Sequence, residues 1–147
     1  MENSEELGAV YDFLMWPHWK KLEIRRLEET IEELRGCLLP GAIEYDKDSI
    51  QSSPKNPQEE TIIKIIDLEA KLENLNKERA ALITEVNAAI DLLEDPTERS
   101  VLTFYYVNRY GPKKVADLIG YSERWMYKVK KEAVFKLFSE MQYRSML

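Results

Sequence analysis

The sequence predicts an all-α protein, a long antiparallel coiled-coil helical hairpin followed by a C-terminal three-helix module of the helix-turn-helix kind. Three observations carry this. Only five of 147 residues are glycine, while Leu, Glu, Lys, Ile and Ala fill long stretches, the composition of extended amphipathic helices. Apolar residues recur in steps of three and four over two such stretches. Helix-start and turn signals then cluster at Asp95-Pro96 and Gly120-Tyr121-Ser122. With 44% hydrophobic against 33% charged residues, one large core is not expected. Two modules are, at residues 1–94 and 95–147.

Asn3 and Glu6 have capping-box spacing, and Leu7, Val10, Tyr11 and Leu14 repeat at helical intervals, which predicts a short helix from about Ser4 to Met15. Pro17 is expected to interrupt it, because an interior proline removes a backbone donor and clashes with the preceding turn. A first long helix follows from about His18 to Leu38, with Ile24, Leu27, Ile31, Leu34 and Leu38 as its seam. Residues 39–56 form a loop rich in helix breakers. Asn56-Pro57-Gln58-Glu59 combines a cap, a first-turn proline and an acidic third position, and so starts the second long helix. Its seam is Ile65, Leu68, Leu72, Leu75, Arg79, Leu82, Val86, Ala89 and Leu93. Arg79 is expected to pack its stem there and to let its charge snorkel or pair with a nearby glutamate.

At about 1.5 Å per residue the second helix spans ~57 Å and the first ~32 Å, leaving ~25 Å of seam for the N-terminal helix or a second copy to cover. Self-association, most simply as a dimer, is therefore expected.

The formal charge of -6 is unevenly spread. Residues 96–147 hold ten Lys/Arg against five Asp/Glu, a balance of +5, so residues 1–95 carry -11. The lone Cys37 excludes an internal disulfide, and the acidic start with no apolar run of roughly 18 residues points to a cytoplasmic protein without a membrane partner. With one histidine, no CxxC pair and no glycine-rich phosphate loop, no catalytic residue, metal site or cofactor is expected. The chain does not read as an enzyme.

In the C-terminal module the first helix should run from Pro96 to about Tyr110, with Asp95-Pro96-Thr97-Glu98 repeating the cap, proline and glutamate signature. A short helix to Ile119 follows, in which Ala116 is small at a close crossing. Gly120 can take a positive φ, and Ser122 can cap the last helix, about Glu123 to Phe138. That helix buries Met126, Val129, Ala133 and Leu137. Donors and cations are left for a DNA groove, and the candidate contacts are Lys113, Lys114, Ser122, Arg124, Trp125, Tyr127, Lys128 and Lys131.

Arg99-Ser100-Val101-Leu102, Val115-Ala116, Gly120-Tyr121-Ser122 and the spacing to Met126, Val129 and Ala133 resemble sigma-factor region four. The wider arrangement, with Ile43-Glu44-Tyr45-Asp46 and Gln51-Ser52-Ser53-Pro54 in the connection, resembles the ArpU-type late transcriptional regulators of Gram-positive bacteriophages and prophages. The resemblance implies transcriptional regulation in a bacterial host cell, with double-stranded promoter-region DNA as ligand and RNA polymerase as a candidate second partner. The sequence departs from region four at Glu123, Trp125 and Tyr127, where sigma factors often carry basic residues. Two other readings use the same parts. One is a phage small terminase subunit recognising DNA for packaging, and the other is a helical scaffold or protein-docking module without DNA.

Overall fold

The computed structural model describes residues 3–38 and 57–144. The loop expected at 39–56, with the Asn56 cap, lies outside them. The described residues form helices and turns and no strand. The elements are α1 (Asn3–Gly36), α2 (Pro57–Ile90), α3 (Pro96–Leu102), a π-helical turn (Thr103–Val107), α4 (Pro112–Ile119) and α5 (Glu123–Tyr143). Among the described residues no helix is long and apolar enough to cross a membrane.

The chain divides into two compact units, Lys20–Glu78 and Met1–Trp19 with Arg79–Leu147. The expected boundary near residue 95 is not where the packing divides. In the first unit α1 and α2 run antiparallel, with Lys20 paired to Glu78 and Arg35 to Glu69. Ile24, Ile31 and Ile65 are buried, while Leu27, Leu34, Leu68, Leu72 and Leu75 are half-buried. Both glutamates are about half exposed, so these pairs add little beyond the seam itself. The Lys20 pKa is raised by its hydrogen bond to Glu78 and then by that to Glu23.

The other unit holds the larger core. Val10, Phe13 and Leu14 of α1 pack with Val86, Ala89, Ile90 and Leu93, and with Leu102, Tyr106 and the Ala133, Val134, Leu137, Phe138 and Met141 side of α5. A second cluster joins Val101, Val115, Ala116, Met126 and Val129. The C-terminal helices therefore share their core with the first turns of the chain.

This corrects the expected break at Pro17. α1 is one helix through Pro17, although an interior proline costs about 3 kcal/mol. Pro17 is fully buried, as is Leu14 one turn earlier, so tertiary burial offsets the lost backbone bond. The Pro17 carbonyl also accepts a hydrogen bond from Arg79 Nε at 3.3 Å. Arg79, expected to let its charge snorkel or pair with a nearby glutamate, thus bonds to a backbone carbonyl.

Both long helices have 34 residues, so the expected mismatch in length is absent. Val86 and Leu93 are fully covered and Leu82 is half-buried. Helix length therefore gives no ground for self-association.

Asp95 caps α3 as expected, its Oδ1 accepting from the Thr97 N–H at 2.8 Å. Glu98 does not turn back to complete the box. Its side chain is buried and its Oε1 accepts from Lys136 Nζ at 2.9 Å, which fixes α3 to α5. Arg99 Nη1 donates to the Leu93 and Glu94 carbonyls at 2.6 and 3.0 Å, satisfying acceptors left open after α2 ends. The helix expected to continue regularly to Tyr110 widens after Leu102: the Asn108 N–H reaches back five residues to the Thr103 carbonyl at 2.9 Å. α5 runs to Tyr143, beyond the expected Phe138.

Candidate nucleic-acid interface

α4 and α5 are joined by Gly120, Tyr121 and Ser122, and backbone geometry sets the turn. Gly120 takes φ 78°, ψ 29°, the left-handed region that favours glycine. The Tyr121 N–H then reaches the Ala116 carbonyl at 3.0 Å and the Gly120 N–H the Asp117 carbonyl at 3.3 Å, closing the end of α4 in a Schellman arrangement. Ala116 is buried beside Met126 and Val129 of α5, so a small side chain sits where the helices meet. Ser122 Oγ accepts from the Trp125 N–H at 3.1 Å and caps α5. Ser122 was also a candidate DNA contact; its oxygen is engaged as the cap.

α5 is sharply divided. Met126, Val129, Ala133, Val134, Leu137, Phe138 and Met141 are buried. Arg124, Lys128 and Lys131, spaced i, i+4 and i+7, share the opposite face and are exposed. Neither Arg124 nor Lys131 has an ion-pair partner among the described residues. Lys128 Nζ lies 4.9 Å from the Trp125 ring centroid, and Trp125 lies 6.0 Å from Tyr121. The first turns of α5 therefore present cations and half-exposed aromatic faces together. Glu123 opens the helix beside them, favourable for the helix dipole and unfavourable for an approaching phosphate.

Lys113 and Lys114 are exposed in the first turn of α4. Lys114 Nζ stacks 3.8 Å above the Tyr110 ring, which in turn stacks on Phe104. Tyr127 is partly exposed but turns its ring to Tyr105, 6.5 Å away. It belongs to the wall of a tyrosine cluster more than to the cationic row.

Lys130 is the residue that sequence reasoning missed. Its Nζ lies 4.4 Å from the Tyr105 ring centroid and between 5.4 and 5.9 Å from those of Tyr106, Tyr11 and Tyr127. It also donates to Tyr106 Oη at 3.3 Å. Burial lowers its pKa. Burial likewise raises that of the Tyr106 phenol, with Tyr11 and Tyr105 adding to the effect. The signal was present in the spacing: Lys130 falls four residues after Met126 and four before Val134, within the buried stripe. The cage ties α5 to α1 through cation–π contacts.

Among the described residues no three His, Cys, Asp or Glu side chains come together to hold a metal ion. The fold and this surface define an all-helical protein that carries an exposed row of cations on the helix after a tight glycine turn. The chain belongs to the family described as protein of unknown function (DUF1492), which it matches over residues 41–138, from before α2 into α5. No curated protein matches it, and no solved structure does.

Proposed function

We propose that the chain is a phage- or prophage-type transcriptional regulator that binds promoter-region DNA in the bacterial cytoplasm through a helix-turn-helix made by α4 and α5. The observation that carries this reading is the Arg124, Lys128 and Lys131 row, exposed on the face opposite the buried stripe of α5. A helix held on one side by a core and lined on the other by donors is what major-groove entry requires. The +5 balance of residues 96–147 supports the sequence-independent part of binding. RNA polymerase is a second partner within the proposal, resting on the resemblance to sigma region four.

Roles divide along α5. Arg124, in the first turn, reads a base edge; Lys128 and Lys131, further along, meet phosphates. Selection of fragments bound by the full chain from a source genome tests the reading, followed by Arg124→Ala on the recovered site. The variant should lose about 1–3 kcal/mol on that site and much less on random duplex. Equal losses on both would remove Arg124 from base readout, and recovery of no enriched fragment would remove the regulator reading.

A further inference from the structure

Further along the same face of α5 lies an apolar groove. Leu7 and Tyr11 of α1 and Phe135 of α5 line it, Lys128 and Lys131 stand at its rim, and its volume is about 490 Å³. Phe135 is 52% exposed although it stands among residues that pack a core, so an aromatic side chain is left without cover. The third lysine there, Lys136, is held by Glu98, while Lys131 has no ion-pair partner among the described residues. Among the described residues Glu132 is the single carboxylate of the lining. An apolar floor with a basic rim fits an amphipathic helix carrying carboxylates.

The chain carries such a helix. On α2, Ile63 and Ile66 are 51% and 60% exposed, and Ala70 continues the stripe one turn on. These residues point away from the Ile65, Leu68 and Leu72 seam, because steps of three and four from Ile63 stay on one face while Ile65 lies across the helix. Glu60 and Asp67 flank the stripe, exposed and without ion-pair partners among the described residues. Residues 59–73 carry five carboxylates against two lysines. One chain thus bears two uncovered apolar surfaces of opposite charge.

We propose that the Ile63–Ile66 face of α2 from a second copy of this chain docks in the Leu7–Tyr11–Phe135 groove, giving head-to-tail self-association. The interface is heterologous, since groove and stripe are different surfaces, and each copy keeps one of each free for a further copy. Lys128 and Lys131 face the docked carboxylates. A corollary rests on the DNA reading, whereas the association does not: the same two lysines serve DNA, so association and DNA binding compete.

Sedimentation equilibrium of the full chain tests this with Phe135→Glu and Ile66→Glu, both at exposed positions where helicity by circular dichroism should be unchanged. Wild type should associate with rising concentration and less so at high salt. Each variant alone should be monomeric, its dissociation constant raised roughly thirtyfold or more if the lost anchor behaves as an interface hot spot. Mixed one to one, the two variants should form a dimer that grows no further, because the intact groove of one meets the intact stripe of the other. A monomeric wild type, unchanged association in either variant, or a mixture that stays monomeric would overturn the proposal. Ile66→Glu should also bind duplex DNA at least as tightly as wild type. Loss of DNA binding in every form would remove the corollary and the DNA reading while leaving the sedimentation result standing.

Discussion

Replacing Gly120 by alanine isolates the backbone cost of the turn between α4 and α5. A Cβ built on Gly120 meets no atom within 4 Å, so no steric term enters. What remains is the left-handed φ of 78°, which for an L-residue costs roughly 1–2 kcal/mol. Gly8 supplies the opposite case within the same compact unit: it lies inside α1, its added Cβ also meets nothing, and its φ is not positive. Gly8→Ala should therefore stabilise by about 0.5–1 kcal/mol. Urea denaturation followed by far-ultraviolet circular dichroism should move the midpoint down for Gly120→Ala and up for Gly8→Ala, with little change in slope. A neutral Gly120→Ala would show that the turn is not left-handed. A loss above about 3 kcal/mol would exceed the backbone term and mean that the Cβ meets a neighbour.

Leu14→Ala should cost about 2–5 kcal/mol and lower the midpoint of the unit containing α5, because Leu14 is fully buried in the core that α5 shares; a midpoint at the wild-type value would refute the shared core. Tyr106 has a pKa raised by burial, so its neutral form is favoured in the folded state, and stability from this source is complete below the ordinary value of 10.0 and falls as pH rises beyond it. Tyr106→Phe should flatten that alkaline fall in pH-dependent melting, and an equally steep fall in the variant would assign it to other groups. Lys136→Met should destabilise more than Lys131→Met, since only the first leaves the buried Glu98 carboxylate without its cation; equal urea midpoints would show that the Glu98 pair contributes nothing.

Local signals were the legible part of the sequence. The Asp95 and Ser122 caps and the glycine turn each depend on chemistry within a few positions, and the structure has them as expected. Pro17 was misread because its penalty is local while its compensation is not: the burial of Leu14 and Pro17 depends on residues more than sixty positions away. From that error came the apparent mismatch of helix lengths; the boundary expected near residue 95 rests instead on the Asp95-Pro96 helix start, which begins α3 without dividing the packing. Glu98 followed a capping pattern in sequence, but Lys136 lies in reach across the fold and takes its carboxylate.

At the candidate interface, periodicity separated the buried and exposed faces of α5 and placed Arg124, Lys128 and Lys131 together. It could not show that Tyr127 turns its ring to Tyr105, nor that Lys130 sits among four tyrosine rings, because those partners come from α1 and the π-helical turn as well as from α5. The groove beside Phe135 was equally hidden, since one wall of it comes from α1.

The most direct test of the DNA reading is the salt dependence of binding by the full chain, measured by fluorescence anisotropy on a genome-selected duplex and on a random one. Wild type should bind both, more tightly on the selected site. A plot of log affinity against log salt should fall linearly, and Lys128→Ala and Lys131→Ala should each reduce its slope by about one on both duplexes. No binding at low salt, with helicity intact by circular dichroism, would contradict the reading and leave the cationic face of α5 to a protein partner.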